Sequence, residues 1–597
     1  MCGLTAIYSY GNNAPPVDRQ QLLRINNAMA ARGPDGEGVW VSHDGKIGFG
    51  HRRLAIIDPG PGGAQPMALN NENGQVRLSI TYNGEIYNFR ELRRELLDEG
   101  RRLKTHSDTE VLLYLYDRDG PGMVHRLRGM FAFAIWDAKK NGLFLARDPY
   151  GIKPLYYADT GRSLFVASQV KALSSGGAEI GGVNPAGHVG FFLLGYVPEP
   201  HTLHAAVKAL PAGTSLWCDS NGQRKINKYF DLSEKLAQKT PDLSRQETQE
   251  VLASSLRDSM RHHLVADVPV GVFLSAGLDS ATVAALATER SGASLESMTL
   301  RFDEFAGDQK DEAPLAEEIA RLYGTRHQIR TVKGSDFKRD FEKLTAAMDQ
   351  PSVDGVNTYF VAKEAAAMGL KVALSGVGGD ELFGGYNTFH QVPTLVKSLG
   401  WIPGISGIGA TLRIISAPLI AQFTSPKYAS LLEYSGDYAA AYFLRRGLFM
   451  PWELPDILDP EMVREGWREL NMLEDMAAAT CRIDTDRHKV AALENQWYLR
   501  NQLLRDADWA GMAHSLEIRT PLVDAELFAT VGRLAVGKQD MAATPKKALP
   551  NAVLNRPKTG FYIPVREWLL GNQPPGSRSE RGVRGWAKIV YENALKA

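Results

Sequence analysis

The stretch Val272-Phe273-Leu274-Ser275-Ala276-Gly277-Leu278-Asp279-Ser280 decides the fold of the second half of the chain. It begins as a short apolar strand, continues as a loop of small residues and opens a helix. Backbone N–H groups at a helix N-terminus bind anions, and small side chains let a phosphate approach them. A plain strand–helix turn has the same pattern, so the stretch indicates a phosphate site without establishing one.

Strands and helices alternate on both sides of this stretch. We predict strands at 268–274, 297–302 and 371–374, and helices at 280–290, 313–323 and 359–368. This alternation predicts a doubly wound parallel α/β sheet with helices on both faces. Helices dominate after about residue 390, and the tail after residue 570 is rich in Pro, Gly, Ser and Arg, so firm order is not expected there.

The first part of the chain has a different pattern. Up to about residue 215 it is rich in predicted strands separated by Gly, Asn and Asp turns, with helices at 89–99 and 109–116. This pattern predicts an α+β domain in which helices pack on sheets. Because the segment 231–245 is polar and Lys-rich, we place the boundary there. The predicted divisions are a first domain (2–215), a linker (216–245), a second domain (246–570) and a tail (571–597).

Length and composition limit the classes of function. A chain of 597 residues exceeds the size of a single hydrophobic core, so at least two domains are expected. Lys plus Arg equals Asp plus Glu, at 68 each, which argues against nucleic acid or an anionic membrane as a partner and favours small ligands. The stretch 401–423 is interrupted by Pro and Arg, so we expect buried helices or an insertion there rather than a membrane span.

The three cysteines, Cys2, Cys218 and Cys481, lie far apart and show no metal-ligand or disulfide spacing. With no signal peptide in the sequence, we expect a cytoplasmic protein. A lone cysteine is usually a small buried hydrophobe, and that interpretation suits Cys218 and Cys481. Cys2 differs, because removal of Met1 would give one residue both a thiol and a free α-amine. An α-amine, whose ordinary pKa is about 8, can take the proton of the thiol, so Cys2 is a candidate nucleophile with its own base.

Several motifs accompany Cys2 in the first domain. They are Arg32-Gly33-Pro34-Asp35, His51-Arg52-Arg53-Leu54-Ala55-Ile56-Ile57-Asp58, Asn83-Gly84-Glu85-Ile86-Tyr87-Asn88, His106-Ser107-Asp108-Thr109-Glu110, Gly129-Met130-Phe131-Ala132-Phe133 and Arg147-Asp148-Pro149-Tyr150-Gly151. Over residues 2 to about 215 the chain therefore resembles the class II glutamine amidotransferases. The resemblance implies an N-terminal nucleophile-type α+β sandwich.

The same resemblance implies roles for individual residues. Cys2 attacks the glutamine amide, while the Asn83 side chain and the Gly84 amide form the oxyanion hole. Arg53 holds the glutamine α-carboxylate, and Asp108 and Glu85 receive its α-ammonium. The residues that follow Arg53 complete the glutamine site: Leu54, Ala55, Ile56 and Ile57. Simpler uses exist, since Asn83-Gly84 also fits a hairpin turn and Asp108 a helix N-cap.

Motifs in the second domain resemble the asparagine synthetase family over about residues 245–570. Beside the loop at 275–280, which resembles the ATP pyrophosphatase signature, they are Ser375-Gly376-Val377-Gly378-Gly379-Asp380-Glu381-Leu382-Phe383-Gly384-Gly385-Tyr386, Met512-Ala513-His514-Ser515-Leu516-Glu517-Ile518-Arg519-Thr520-Pro521 and Arg556-Pro557-Lys558-Thr559-Gly560-Phe561. The sequence has no GxxxxGK[ST] P-loop, which argues against γ-phosphate transfer.

The resemblance implies that ATP and Mg²⁺ are cofactors and that AMP and pyrophosphate are released. Ser275, Gly277 and Ser280 would hold the pyrophosphate, and Leu274, Leu300, Ser375 and Gly376 would line the adenosine pocket. Asp279 and Asp380 would bind Mg²⁺, because a hard cation offsets the charge that grows on the departing pyrophosphate. Lys558 would stabilise that charge beside the acyl-adenylate.

Some positions depart from the family pattern. Where members that make asparagine usually have a glutamate, this chain has Val377, which can neither accept a proton nor pair with a cation. Further departures are Ala276 for glycine, Gln169 for glutamate, and Asp506 and Trp509 for basic residues. Val377 is compatible with an amide-forming enzyme, but it leaves open which carboxylate is the acceptor. Asp354 and Asn357 are candidate acceptor contacts, although helix capping is the commoner use of such residues.

Three functions follow in order. The first is asparagine synthesis from aspartate, glutamine and ATP, and the second is the same chemistry on another carboxylate, such as a sugar acid or a peptide. The third is a non-catalytic regulatory or scaffold protein, against which the intact Cys2, Asp279, Asp380 and Lys558 argue. The expected partners are small molecules, with neither nucleic acid nor membrane, and a homodimer is one option for assembly.

Overall fold

The computed structural model describes residues 2–177, 181–291, 295–305, 307–308, 311–557, 568 and 583–596, apart from the side chain of Ala421. The first domain contains two six-stranded antiparallel sheets. Their strands are β1 (Gly3–Ser9), β2 (Gly36–Val41), β3 (Ile47–Arg53), β4 (Met67–Asn70), β5 (Val76–Ile86), β6 (Gly129–Asp137), β7 (Gly142–Arg147), β8 (Tyr156–Asp159), β9 (Ser163–Ala167), β10 (Val207–Ala209), β11 (Thr214–Cys218) and β12 (Arg224–Lys228).

The two sheets pack face to face. Their strand orders are β10-β8-β9-β1-β3-β2 and β12-β11-β7-β6-β5-β4. Alternate residues of β1 and β6, such as Leu4, Tyr8 and Trp136, point into the layer between them, as period-2 strands require. Helices α1 (Arg19–Ala28), α2 (Phe89–Asp98), α3 (Asp108–Asp119) and α4 (Val170–Ser175) cover the outer faces. The predicted α+β sandwich is confirmed.

The second domain contains a five-stranded parallel sheet. Its strands are β13 (Val270–Phe273), β14 (Glu296–Phe302), β15 (Arg326–Val332), β16 (Val372–Leu374) and β17 (Glu517–Arg519). The order is β15-β14-β13-β16-β17, so the chain order reverses between β13 and β16. In open α/β sheets, ligands bind at such a reversal, beyond the carboxyl ends of the strands. The predicted parallel sheet is confirmed, and its reversal lies at the stretch that begins with Val272.

Helices surround this sheet and form the C-terminal part. They are α5 (Pro185–Leu194), α6 (Leu232–Ala237), α7 (Arg245–His263), α8 (Leu278–Ser291), α9 (Ala313–Tyr323), α10 (Gly334–Ala347), α11 (Val356–Ala367), α12 (Gly379–Phe383), α13 (Thr388–Leu399), α14 (Ile405–Phe423), α15 (Tyr438–Arg446), α16 (Pro460–Leu470), α17 (Met472–Thr480), α18 (Asp486–Leu493), a π-helix (Glu494–Leu504), α19 (Arg505–Met512), α20 (Ala525–Val531), α21 (Lys538–Ala542), α22 (Asn551–Leu554) and α23 (Val583–Lys596).

The structure differs from the predicted divisions in three places. Strands β11 and β12 extend the second sheet to Lys228, inside the segment 216–245 that was expected to be a linker, because β11 pairs with β7. Within the tail, α23 is a helix that buries Trp586 and Val590, one helical turn apart. The apolar stretch 401–423, for which buried helices or an insertion were expected, contains α14 at the surface, so the expectation of buried helices is wrong.

Charged side chains join the two domains. Arg32 forms a bidentate salt bridge with Asp508 of α19, with N–O distances of 2.7 and 3.0 Å. Arg128 binds Asp524 in the same manner, at 2.9 and 3.0 Å. Bidentate salt bridges fix the orientation of the two side chains as well as the distance between them. They therefore hold the first domain in a defined position against the parallel sheet. Within the described residues, no helix is long and apolar enough to cross a bilayer.

Candidate active sites

Cys2 lies just before β1, at the edge of the layer between the two antiparallel sheets. Its main-chain N–H donates to Asn83 Oδ1 at 2.9 Å, and its carbonyl accepts from Arg32 Nε at 3.0 Å. The residue is 8% exposed, and burial raises the pKa of its thiol, a rise that the charge of the chain N-terminus opposes. A positive charge near the sulfur therefore favours the thiolate.

Asn83 and Gly84 lie inside β5, opposite β6, so the hairpin-turn alternative is wrong. Asn83 is fully buried, and since its Oδ1 accepts from Cys2, its Nδ2 group points elsewhere. That Nδ2 group has no hydrogen-bond partner in the described part of the chain. A buried donor left open beside a nucleophile is what an oxyanion hole needs before substrate binds.

Gly84 has a φ of +152°, and a Cβ atom there would lie 2.1 Å from the Met130 carbonyl oxygen. Any side chain would therefore push β5 away from β6, and with it Asn83 away from Cys2. The sequence motif Asn-Gly is thus explained by strand packing rather than by turn formation.

The predicted glutamine ligands from Arg53 to Ile57 lie at the end of β3 and in the chain that follows it. Arg53 ends β3, and its guanidinium donates to the carbonyl oxygens of Asp58 and of Gly60, the latter at 2.8 Å. The chain then passes through the buried residues Leu54, Ala55, Ile56 and Ile57. Leu54 contributes a carbonyl oxygen 3.9 Å from the Cys2 sulfur. A main-chain carbonyl of this segment therefore faces the nucleophile.

Asp108 is the first residue of α3, and the N-cap is Ser107, so the capping alternative is wrong. Its carboxylate accepts from the Tyr82 hydroxyl at 3.0 Å and from the Ile86 N–H at 3.2 Å. Burial raises the pKa of Asp108 to about 6, and these hydrogen bonds limit the rise. The carboxylate is ionised at neutral pH and suited to an ammonium group.

Glu85 connects the first site to the second domain. Its carboxylate lies 3.7 Å from the guanidinium of Arg519 on β17, which also binds Glu517 at 2.5 Å. Burial, then Glu517, raise the pKa of Glu85. Burial would also raise the pKa of Glu517, but Arg519, the positive chain N-terminus and Lys153 together outweigh it and lower that pKa to about 2. The main-chain carbonyl of Arg519 accepts from Ser375 N–H at 2.8 Å, so one residue touches both predicted sites.

The loop between β13 and α8 folds around its own hydroxyl groups. The Ser275 and Ser280 hydroxyls lie 2.7 Å apart, and Gly277 N–H donates to Ser275 Oγ at 3.2 Å. The neighbouring loop after β16 packs closely, because a Cβ atom on Gly376 would lie 2.9 Å from Ser280 N. Ala276 has no positive φ, so its methyl group is accommodated. Two loops with small residues thus meet at the carboxyl edge of the sheet.

Two predicted metal ligands meet at the same edge. The Lys538 ammonium of α21 binds Asp279, and it lies 2.8 Å from Asp380. Burial would lower the pKa of Lys538, but Asp279 and Asp380 outweigh it and raise the pKa. The carboxylates of Asp279 and Asp380 are therefore close enough to bind the same cation, here the Lys538 ammonium. The sequence analysis missed Lys538, since no motif surrounds it and only the fold brings α21 to this edge.

A cavity of about 520 Å³ opens over these loops. It is lined by every described residue that was predicted for the nucleotide and metal: Leu274, Ser275, Gly277, Asp279, Ser280, Leu300, Ser375, Gly376 and Asp380. Lys558, the remaining predicted catalytic residue, lies outside the described residues. Arg556 and Pro557, which begin its motif, line the cavity.

The cavity is also lined by further carboxyl groups. Asp354, Glu381 and Asp506 line it, together with Val377 and Asn357. Asp506 accepts from Ser352 at 2.8 Å and from Trp509 at 2.7 Å, and burial and Asp354 raise its pKa to about 8.

Burial, Asp380 and Glu494 likewise raise the pKa of Glu381 to about 8. Gly355 is the N-cap of α11, while Asp354 Oδ1 accepts from the Gly355 N–H at 2.9 Å and Asn357 Oδ1 accepts from the Thr358 N–H at 2.7 Å. Both side chains therefore bind main-chain N–H groups at the start of the helix, as the capping alternative expects.

Comparison with known proteins matches both halves of the chain to family models. Residues 1–230 match a model described as a glutamine amidotransferase domain, and residues 251–581 match one described as asparagine synthase. Asparagine synthetase [glutamine-hydrolyzing] 1 of Bacillus subtilis is 32% identical over 95% of this chain and 88% of that protein. Asparagine synthetase [glutamine-hydrolyzing] 3 of the same organism is 29% identical, over 88% and 80%. Asparagine synthetase B [glutamine-hydrolyzing] of Escherichia coli is 32% identical over 66% of each.

Proposed function

This chain belongs to the glutamine-hydrolysing asparagine synthetase family, and from that premise we propose that its two sites divide the synthesis of an amide between them. The Cys2 site releases ammonia from glutamine, and the cavity above β13 and β16 uses ATP to activate a carboxylate. The observation that carries the proposal has two parts. In the first domain, the main-chain N–H of Cys2 lies 2.9 Å from Asn83 Oδ1. In the second domain, the described residues that were predicted to bind the nucleotide line one cavity.

The first half-reaction starts at the sulfur of Cys2. After removal of Met1, the α-amine takes the thiol proton and the thiolate attacks the glutamine amide carbon. Asn83 Nδ2 and the Gly84 N–H hold the oxygen that becomes negative. As the intermediate collapses, the α-ammonium returns its proton to the amide nitrogen, so ammonia leaves and a thioester remains on Cys2. Water then hydrolyses the thioester to glutamate. Arg53, Asp108 and Glu85 select glutamine by binding its α-carboxylate and α-ammonium.

The second half-reaction uses the loop residues. Ser275, Gly277 and Ser280 offer hydroxyl and N–H groups to the pyrophosphate of ATP, and the acceptor carboxylate displaces that pyrophosphate from the α-phosphate. Ammonia then attacks the acyl-adenylate to give the amide and AMP. We assign Lys558 to the charge on this intermediate, as its motif implies.

The carboxylates of Asp279 and Asp380 fit Mg²⁺. Both contact one cation already, the ammonium of Lys538. The described residues contain no group of three or more His, Cys, Asp or Glu suited to a metal. Mg²⁺ is commonly held by one or two carboxylates with substrate phosphates, and two carboxylates meet that need. When bound, it offsets charge on the departing pyrophosphate.

Aspartate is the first acceptor, in line with the names of the relatives. A second candidate, a carboxylate without a second acidic group, is favoured by the acidic residues that line the cavity. Val377 replaces the glutamate typical of the family, and Asp354 and Asp506 add carboxyl groups to a cavity into which aspartate would bring another carboxylate. A hydroxyl-rich sugar acid or a peptide would suit these groups as a donor of hydrogen bonds.

Transfer of ammonia inside the protein completes the proposal, since free ammonia is mostly ammonium at neutral pH. The test supplies amide-labelled ¹⁵N-glutamine in a large excess of unlabelled ammonium. Retention of ¹⁵N in the amide product supports an internal route, and dilution to the bulk ratio argues against it.

The activity itself is tested by incubating the protein with glutamine, ATP and Mg²⁺ and measuring AMP and pyrophosphate for a panel of carboxylates, beginning with aspartate. Acceptor-dependent AMP supports the enzyme, and the best acceptor answers the question raised by Val377. If no carboxylate causes release of AMP, the result supports the non-catalytic scaffold alternative.

We also propose a cytoplasmic location, which keeps the thiol of Cys2 reduced, and a homodimer, which light scattering would test.

A further inference from the structure

Three carboxyl groups that line the cavity have no basic partner. They belong to Asp354, Glu381 and Asp506, and in the part of the chain that the structure describes none of them forms a salt bridge with Lys, Arg or His. Glu381 is 1% and Asp506 2% exposed. Buried carboxyl groups are rarely left without a cation, because nothing then offsets their loss of hydration. The three acids therefore form a site that suits a positively charged ligand.

The basic side chains near these acids are bound to other groups. Of the described residues that line the cavity, only Lys538 and Arg556 are basic, and other carboxylates hold them at 2.8 and 3.0 Å. Two further guanidinium groups act on the acids through space. Arg446 is bound to Glu494 at 2.7 Å, and Arg505 donates to a main-chain carbonyl at 2.5 Å. Each of these cations thus has a partner outside the three acids.

The backbone holds Asp354 beside Asp506. Gly355 has a φ of +86°, and a Cβ atom there would lie 2.6 Å from the Trp509 ring and 3.0 Å from Asp506 Cγ. Glycine alone tolerates both this conformation and this contact. The Gly355 N–H donates to Asp354 Oδ1 at 2.9 Å, which fixes that carboxylate next to the turn. Burial and then Asp354 raise the pKa of Asp506, so the two acids repel each other when both are charged.

Glu381 adds an oxygen that accepts no hydrogen bond. Its Oε1 accepts from the Tyr386 hydroxyl at 2.9 Å, whereas its buried Oε2 has no partner among the described residues. The Arg446 guanidinium lies 4.4 Å from the centre of the Tyr386 ring, and Tyr498 meets that ring edge-on at 5.8 Å. These contacts fix the hydroxyl that orients Glu381. An unfilled buried acceptor costs free energy until a donor arrives, so Oε2 also favours a ligand.

An ammonium group suits these acids better than a metal ion or a hydroxyl group. Since no three His, Cys, Asp or Glu side chains of the described residues are grouped so as to hold a metal, the acids are too far apart to chelate one. A sugar hydroxyl could donate to Glu381 but would leave the repulsion between Asp354 and Asp506. An ammonium brings three N–H donors together with the opposite charge, and it therefore relieves both.

We propose that the carboxylate acceptor carries an ammonium group, which Asp354, Glu381 and Asp506 recognise, so that the enzyme prefers acceptors with one carboxylate and one amine. Amino sugar acids and amino acids with a single carboxylate belong to this class. The inference rests on the proposed function, because the same cavity has to hold ATP and the acceptor. It favours the second candidate acceptor over aspartate, whose additional carboxylate would meet acids instead of a base.

The test compares probes that differ in one group. The first series is 4-aminobutyrate, 4-hydroxybutyrate and glutarate, and the second is 2-amino-2-deoxyglucuronate and glucuronate. Calorimetry measures their binding to the full-length chain with Mg²⁺ and α,β-methylene-ATP, which keeps the nucleotide intact. The amine of each series is expected to bind at least about tenfold more tightly than its hydroxyl partner, and glutarate is expected to bind most weakly.

Two variants remove charge and keep hydrogen bonds. In Asp354→Asn the side-chain oxygen can still accept from Gly355, and in Asp506→Asn it can still accept from Trp509 at the present 2.7 Å. Each should weaken binding of the amines about tenfold and change binding of the hydroxyl partners less than about twofold. The matched control is Asp456→Asn, at an exposed acid of the second domain, and it should bind every probe like the wild type.

Thermal melting and binding of α,β-methylene-ATP show whether each variant is folded, and Glu381→Gln replaces any variant that is not. The proposal is overturned if the amines bind no more tightly than their partners, if no probe binds, or if the variants lose amine and hydroxyl probes equally. AMP release from ATP is measured for the same probes. A preference for amines in binding, without AMP from any probe, would support the recognition and contradict the proposed function.

Discussion

The two candidate sites of this molecule differ in how the chain builds them. Around Cys2, most contacts come from strands and turns of the first domain, and each predicted residue has a short motif around it. The cavity of the second domain combines two such loops with side chains from α11, α19, α21 and α22, far apart in sequence. A site built from local motifs can be predicted from the sequence. A pocket closed by helices that are distant in sequence can be predicted only in part.

Replacing Asp279 with Asn tests the independence of the two sites from the second domain, with the largest partial loss of activity. It removes one of the two carboxylates around Lys538, so AMP formation should fall roughly 10²–10³-fold with glutamine or with ammonia as nitrogen donor. Glutamine hydrolysis should remain near the wild-type rate. The control is Asp303→Asn, at an exposed acid of the second domain. A matching fall in glutamine hydrolysis would show that the sites are not separable.

Asn83→Ala tests the same independence from the other side. It deletes the open Nδ2 donor, so kcat for glutamine hydrolysis should fall about 10²-fold, with little change in KM. Ammonia-supported AMP formation should not change. Asn73→Ala, in the exposed turn before β5, serves as the control. A rise in KM with unchanged kcat would remove Asn83 from the oxyanion hole and make it a substrate-binding residue.

The success of sequence reasoning follows this difference. Val272 to Ser280 predicted both the parallel sheet and the nucleotide loop, because strand, small-residue loop and helix are contiguous there. Lys538 and Glu381 were not found. Lys538 lies in an unremarkable string, and the raised pKa of Glu381 depends on burial that only the assembled fold creates. For the same reason, the surface position of α14 could not be read from its apolar sequence.

The pH dependence of glutamine use tests Asp108. Because burial raises its pKa to about 6, the carboxylate loses its charge as the pH falls through that value, and the glutamine ammonium loses a partner. KM for glutamine should rise about tenfold for each pH unit below about 6. Asp108→Asn should raise KM about 10–100-fold at neutral pH and abolish this dependence.

The control for Asp108 is Asp98→Asn, at the exposed end of α2, which should retain both the KM and the pH profile. A profile without a break near pH 6 in the wild type would contradict the assignment.

The smallest effect is expected where the two sites meet. Arg519→Lys keeps the charge beside Glu85 and Glu517 but loses the planar fork, so KM for glutamine should rise about three- to tenfold while kcat changes little. Arg326→Lys, at an exposed arginine of β15, provides the control. A lower melting temperature with an unchanged KM would mean that Arg519 only supports the fold and does not position Glu85.

The division of labour between the sites is tested most directly by Cys2→Ala, measured with glutamine and with ammonia as alternative nitrogen donors in the presence of ATP and the best acceptor. Cys218→Ala, another buried cysteine of the first domain, is the control. We expect glutamine-dependent amide formation to disappear and ammonia-dependent formation to stay close to the wild-type rate, because the thiolate acts only on glutamine. Equal loss of both activities would contradict the two-site account.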